Sequence, residues 1–553
     1  MKSYDTLLIG SGHNSLVAAA YLAKKGRQVL VLEKKTHPGG TAVTEEFLPG
    51  FHASTVADGA GYLSPRIVRD LGLAGHGLEW LPSDVVAFCP QPDGGSLTLR
   101  TDTLKTAAEI ARFSKKDAES YPKFLNLLGR IAAVVRELAG VIPPALPDLG
   151  LADLLKMRSL AGPVRRLGRK DVAHLLRVLT MPAADLLNEW FESDAVKGAI
   201  AANGVRDITW GPMEAGTAYT LLYKWGLSDP GPFRSTGQVR GGMGALTAAL
   251  VRAVEASGGE IRTGSEVAEI CVEGGRATGV RLASGEEIRA GTVVSGAGPG
   301  TTFLDMLDPA GLDSDFVRHV RNIKYRGSTA RLHLALSGLP SFTALDGRDP
   351  RVSLGNAIQV SPSIAYLQRA FDCTKYGDFS DRPYLDLRIP TLSDPELAPS
   401  GKPPGSPYDG AQDRHVISIT VKFAPYHLRP TAINGGEPPS PAELWAARRV
   451  DLIETVLDTL AEFAPDLRGK ILGYKLLTPV DLERDYGLPE GNLNHGEMTL
   501  DQFFHMRPIP GWADYRTPVA GLYLCGSGSH PGGGITGLPG RNGARVMMRH
   551  GKS

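Results

Sequence analysis

The chain has 553 residues, 42% apolar and 22% charged, which is enough for two or three globular domains around a large core. Lys and Arg total 60 against 59 Asp and Glu, so no overall field favours nucleic acid or an anionic surface. No run approaches the roughly 18 apolar residues of a membrane span. No GxSxG elbow, HExxH pair or P-loop occurs, which leaves hydrolase and NTPase chemistry without residues.

Leu7 to Ile9 reads as a buried strand that Gly10-Ser11-Gly12 turns into a helix from about Gly12 to Lys25, stopped at Gly26. Val29 to Leu32 reads as a parallel strand ending at Glu33, roughly 20 residues after the first glycine, where a carboxylate can take ribose hydroxyls. Gly10 permits the sharp turn, Gly12 lets the backbone approach a pyrophosphate, and the helix amides receive its charge. Ser15 stands where the third glycine of GxGxxG would allow close helix–strand packing. Glu33 disfavours a 2′-phosphate, against which Lys34 and Lys35 weigh slightly. His37-Pro38-Gly39-Gly40-Thr41 returns the chain toward the pyrophosphate and favours FAD over NAD.

From about Thr101 to Gly204 the pattern is helical, with amphipathic stretches Thr106 to Arg112, Phe124 to Leu138 and Ala183 to Phe191. Leu151 to Thr180 carries seven Lys or Arg against two Asp. A membrane-surface helix pair is one reading of that stretch, and a solvated lid or subunit contact is the other. Pro163 and Gly168 interrupt the amphipathic face and favour the second. Gly241-Gly242-Met243-Gly244 opens a helix, Ala245 to Ala256, followed by short strands over Glu260 to Arg262, Glu266 to Val272, Ala277 to Leu282 and Glu287 to Arg289. Thr292 to Pro299 is an apolar strand running into a glycine turn. Thr301 to Asp514 mixes strands such as Arg331 to Ala335 and His415 to Phe423 with a helix near Pro441 to Phe463, and Ala398 to Gly410 reads as a surface loop. Gly521 to Cys525 is a strand, after which Gly526 to Gly537 leads into a helix through Met548.

The stretches GSGHNSLVAAAYLAKKG, VLEKKTHPGGTAVTEEFLPGF, RGGMGAL, TPVDLERDYGLPEGNLNHGEMTLDQFF and LYLCGSGSHPGGGITGLPGRNGA resemble FAD-dependent phytoene desaturase and carotenoid oxidoreductase-like flavoproteins, in the branch called pyridine nucleotide-disulfide oxidoreductase domain-containing protein 2. The resemblance implies an α/β fold: a Rossmann-type, amine oxidase-like FAD-binding domain over 1–75, 236–300 and 515–553, interleaved with an α+β substrate domain over 76–235 and 301–514 that carries a helical insertion at about 101–204. It implies FAD held by Gly10, Ser11, Gly12, His13 and Asn14 at the pyrophosphate, Glu33 with neighbouring Lys34 at the ribose, and Gly40 and Thr41 near the ribityl phosphate. Val267 would meet adenine, Gly526 and Ser527 the ribityl chain, and Gly537 with Leu538 the flavin's pyrimidine edge. The disulfide in the branch name is not inherited. Cys89, Cys271, Cys373 and Cys525 form neither a CxxC pair nor zinc spacing, so no metal is expected, and they read as reduced thiols of a cytoplasmic, at most peripherally membrane-bound, protein.

FAD would take a hydride from a substrate carbon, so one dedicated acid or base suffices. His530, in the glycine loop expected beside the flavin, and His495 are the candidates; a structural hydrogen bond is the plainer reading of each. The leading function is an FAD-dependent dehydrogenase or desaturase acting on a small, largely apolar, isoprenoid- or carotenoid-like substrate, with oxygen or a quinone as electron acceptor. A flavin amine oxidase and a redox-neutral isomerase or flavoprotein scaffold are the alternatives.

Overall fold

The computed structural model describes residues 4–144, 162, 165, 168, 170–227, 237–399, 414–430 and 437–550. Most of the basic stretch Leu151 to Thr180, with its membrane-surface reading, and most of the loop Ala398 to Gly410 lie outside the described residues.

The N-terminal glycine loop folds as its sequence dictates. β1 (Tyr4–Ile9) and β2 (Val29–Leu32) are parallel neighbours, Leu7 opposite Leu30 and Ile9 opposite Leu32, and α1 (His13–Ala23) connects them. All four β2 residues are buried, as in a strand covered on both faces. On its other side β1 pairs in parallel with Glu287–Ser295, which in turn pairs with Leu522–Leu524; β2 pairs with Glu260–Arg262. The sheet therefore grows outward from β1 in both directions. The crevice at the C-terminal end of β1 is a topological switch point, where open α/β sheets bind ligands.

The space lost at Ser15 is recovered across the interface. A Cβ on Gly296, just beyond the strand Glu287–Ser295, would lie 2.0 Å from Ser15 Oγ and 2.9 Å from the Ile9 carbonyl oxygen. The small residue has moved from the helix to the facing strand end, and α1 still packs closely. At the same point a Cβ on Gly540, in the C-terminal helix Leu538–His550, would lie 2.0 Å from the Asn14 carbonyl oxygen.

A second sheet is built around Thr329–Leu336, flanked by Ile471–Leu477 and His415–Lys422 and extended by Tyr384–Arg388, Ala357–Val360, Val85–Pro90 and Ser96–Arg100. Its residues alternate. Ala330, Leu332, Leu334, Leu385, Leu387, Ile417, Ile419 and Val421 pack with Trp445, Leu452 and Val456 of the helix Pro441–Ala461, which starts at a capping box made by Ser440 and Glu443. The opposite face carries Arg331, His333, Asp386, Arg388, Ser418, Thr420 and Lys422, none more than 5% exposed. Strand polar faces ordinarily meet water; this one is covered by the helical insertion and by the loop after the strand Phe51–Ala53. Ile208 and Ala202 of the insertion accept hydrogen bonds from Lys422 and Tyr384, and Thr55 of the loop bonds His333.

The insertion begins with Thr103–Ile110 and Lys115–Gly140. Both start earlier than hydrophobic periodicity alone indicates, because Asp102 and Ser114 cap them. It also continues past Gly204 into Thr217–Leu227, where Gly226 serves close packing: a Cβ there would sit 2.8 Å from the Ala132 carbonyl oxygen. All four cysteines are free. Among the described residues no helix is long and apolar enough to cross a membrane, and no group of His, Cys, Asp or Glu is arranged to hold a metal ion.

Candidate active site

A cavity of about 330 Å³ opens at the end of β1, bounded by the glycine loop on one side and the polar face of the second sheet on the other. Gly10, Ser11, Gly12, His13, Asn14, Glu33, Lys34, Gly40, Thr41, Val267, Gly526 and Ser527 all line it, so segments from both ends of the chain and its middle converge there. Gly10 turns at φ 81°, a conformation that disfavours side chains. α1 begins after Gly12 with no side chain capping it, which leaves its first amides and positive dipole end open to an anion. Gly40 packs on this loop so closely that its Cβ would lie 3.1 Å from Gly12 Cα.

Glu33 is held at the cavity wall. Its Oε2 accepts from the Ser11 amide at 2.9 Å and the Ser11 hydroxyl at 2.6 Å, and its Oε1 accepts from the Lys35 amide at 2.9 Å. Asn14 Nδ2 donates to Ser527 Oγ at 3.1 Å and ties the N-terminal loop to the C-terminal one. Asn14 Oδ1 and His13 Nε2 are buried without a partner among the described residues. An uncapped helix start, a close glycine pair, a ribose-length carboxylate and orphaned polar atoms fit a bound dinucleotide with FAD's pyrophosphate and ribose.

The catalytic candidates separate. His495 lines the cavity, with φ 53° and its Nδ1 buried without a partner; burial, then the charge of Arg507, lowers it to about 4, so it is neutral at physiological pH. His530 does not line the cavity. Its fully buried ring lies against Phe503 and Phe504, and its Nε2 hydrogen-bonds the Leu138 carbonyl at 2.9 Å. Burial lowers it to about 3, partly offset by that carbonyl. The ring anchors the helix Lys115–Gly140, which corrects the expectation that its glycine loop carries it to the flavin. His530→Ala is expected to cost about 1–3 kcal/mol of stability and to leave the pH profile of turnover unchanged, checked by chemical denaturation and by kcat against pH. Gly537 and Leu538 are likewise absent from the cavity wall, where Gly534 and Ile535 stand instead. Gly537, at φ 67°, turns the chain into the C-terminal helix where a Cβ would meet Ile67 at 2.8 Å.

The polar end of the cavity holds residues that motif reading missed: Asp58, Tyr62, Arg206, Asp207, Arg331 and Thr420. Asp58 is contacted by three guanidinium groups, Arg206 at 2.6 Å, Arg331 at 3.5 Å and Arg388 at 3.7 Å, and Arg206 also reaches Asp386 at 3.3 Å. Burial alone would raise the Asp58 carboxyl, but Arg206, Arg388 and Arg331 together hold it far below the usual carboxylate range. Nearby, Lys422 donates to the Ile208 carbonyl and the Thr329 hydroxyl, and burial pushes it down to about 7.

Comparison with known proteins agrees with this geometry. A family profile described as flavin containing amine oxidoreductase matches residues 16–404, starting just past the glycine loop. The chain is 36% identical to pyridine nucleotide-disulfide oxidoreductase domain-containing protein 2 of Rattus norvegicus, over 99% of this chain and 93% of that one. It is 28% identical to the neurosporene-forming phytoene desaturase of Cereibacter sphaeroides, over 98% and 93%. A solved oxidoreductase from Methanosarcina mazei shares the fold, with a TM-score of 0.59 at 18% identity over 99% of this chain and 100% of that one. With most of its length matched and a dinucleotide cradle in place, the chain belongs to the flavin containing amine oxidoreductase family and is an FAD-dependent oxidoreductase.

Proposed function

We propose that the protein is a dehydrogenase or desaturase that oxidises carbon in a non-amine substrate with an apolar body. The observation that carries this reading is the charge of the buried face. Arg206, Arg331 and Arg388 outnumber Asp58 and Asp386 there, and Asp207 is paired with Lys224, so a protonated amine would meet a surplus of positive charge in surroundings where like charges repel more strongly than in water. FAD, when bound, supplies the two-electron acceptor for a hydride from substrate carbon and passes the electrons on to oxygen or a quinone. The chain's own part is to orient the substrate and exclude water. Val56, Ala57, Leu493 and Ile535 give the cavity apolar walls, and a smaller adjoining cavity of about 30 Å³ is lined by Ile208, Leu227 and Met498. His13 and His495, both held near 4 chiefly by burial, offer neutral hydrogen-bonding groups and no added positive charge at neutral pH. The likeness to a phytoene desaturase supports an apolar substrate body.

The test is anaerobic absorbance of the FAD-loaded protein mixed with long-chain alkenes, alkenoic acids, alcohols or amines. Bleaching of the flavin band by one of the non-amine classes, with no response to amines, is the expected result. Bleaching by amines alone, with peroxide formed in air, would overturn the reading in favour of an amine oxidase.

A further inference from the structure

We infer that the substrate carries a carboxylate, received at the polar end of the cavity by the guanidinium of Arg331 and the hydroxyl of Thr420. The inference rests on reading this cavity as the substrate site of a dehydrogenase, and it names the group that orients the substrate there. Arg331 and Thr420 sit opposite each other on neighbouring antiparallel strands, and both line the cavity. Arg331 Nη1 donates to Thr420 Oγ1, which fixes the direction of the guanidinium.

Arg331 is only 2% exposed, yet it is poorly matched. Its Nε is buried without a hydrogen-bond partner among the described residues, and Nη2 reaches only the Ser54 carbonyl, at 3.5 Å. The carboxylate it contacts, Asp58, stands 3.5 Å away and lies closer to Arg206, at 2.6 Å. A guanidinium taken out of water is costly to hold when its one carboxylate partner is distant and shared with two other arginines, and its fork of donors suits a second, planar carboxylate. The cofactor's own anion does not account for it. The pyrophosphate is provided for by the uncapped start of α1 on the other sheet, whereas Arg331 projects from the polar face of the second sheet.

The experiment is an equilibrium titration of the FAD-loaded protein with dodecanoate, methyl dodecanoate and dodecylamine, read as perturbation of the bound flavin's visible spectrum. Wild type is expected to bind dodecanoate roughly tenfold or more tightly than the ester or the amine. Arg331→Gln is expected to erase that preference with its FAD content unchanged. Equal binding of the three probes, binding of none, or an Arg331→Gln protein that keeps the preference would overturn the inference. Loss of FAD from Arg331→Gln would move Arg331 into the cofactor site and overturn it as well. If Arg331→Gln fails to fold, Thr420→Val serves in its place: a several-fold selective weakening of dodecanoate is expected, and unchanged selectivity counts against the carboxylate. Because binding is read without turnover, a protein that prefers dodecanoate but is never reduced by apolar donors would sink the proposed dehydrogenase and leave this inference standing.

Discussion

Replacing Gly296 by alanine is expected to give a folded protein that no longer retains FAD. The added Cβ would lie 2.0 Å from Ser15 Oγ and 2.9 Å from the Ile9 carbonyl oxygen. Ser15 can rotate, since among the described residues its hydroxyl makes only a long 3.7 Å contact with Cys525 Sγ. The Ile9 carbonyl is backbone at the end of β1 and cannot yield without moving Gly10 to Gly12. Overpacking of this kind costs about 1–3 kcal/mol, and the displacement falls on the loop that must meet a pyrophosphate. Ser15→Gly alone restores the GxGxxG pattern and should leave FAD retention unchanged. Combined with Gly296→Ala it should recover part of the lost FAD, because it removes one of the two clashes. The flavin-to-protein absorbance ratio after gel filtration, with a thermal melt beside it, checks all three variants; full FAD in Gly296→Ala would show that the loop tolerates the shift.

Asp58→Asn is expected to destabilise the protein by about 3–5 kcal/mol, the cost of leaving buried charge without its partner. The substitution keeps the side chain's shape and removes the carboxylate that Arg206, Arg331 and Arg388 all contact. Arg331→Gln in the same chain should be less harmful than the two single changes summed, since it removes one of the uncompensated cations. The folded Asp58 carboxyl is depressed relative to the unfolded chain, so its stabilisation is present above the unfolded value of about 4 and is lost as pH falls toward the lower folded one. Wild-type stability should therefore decline below about pH 5, and Asp58→Asn should decline less steeply there. Urea unfolding across that range measures both effects; parallel curves would remove Asp58 from the acid response.

The cofactor end of the site was legible because its parts are local. Gly10 to Glu33 is one contiguous βαβ unit, and which of its residues line the cavity follows from their positions along it. Gly526 and Ser527 reach the same cavity wall, as their place in a glycine turn after an apolar strand indicated. His530 misled because sequence proximity to that turn says nothing about side-chain direction: the ring points at Leu138 and the insertion. Gly537 misled similarly, since its positive φ serves the turn into a helix that packs on Ile67.

The substrate end was illegible for a physical reason. Arg331-Leu332-His333-Leu334 alternates as any strand with one wet face would, and the same holds for Ser418-Ile419-Thr420-Val421. Only the tertiary covering by the insertion and by Ser54 to Asp58 turns that polar face inward. Asp58, Arg206 and Arg331 come from three distant segments, and none carries a motif. One signal was present: Arg331 and His333, Asp386 and Arg388, and Ser418, Thr420 and Lys422 each stand at alternate positions of an apolar strand, which puts the polar and charged residues of each strand on one face.

The most direct measurement is the flavin content and specificity of the purified chain, by absorbance and by mass of the nucleotide released on denaturation, after exposure to FAD, FMN and NADP in parallel. The expected result is one FAD per chain, lost in Gly296→Ala, with FMN and NADP not retained, because the cradle from α1 to Glu33 is built for a pyrophosphate joined to an unphosphorylated ribose. A chain that retains FMN or NADP in preference, or takes up no flavin at all, would contradict the account of the site.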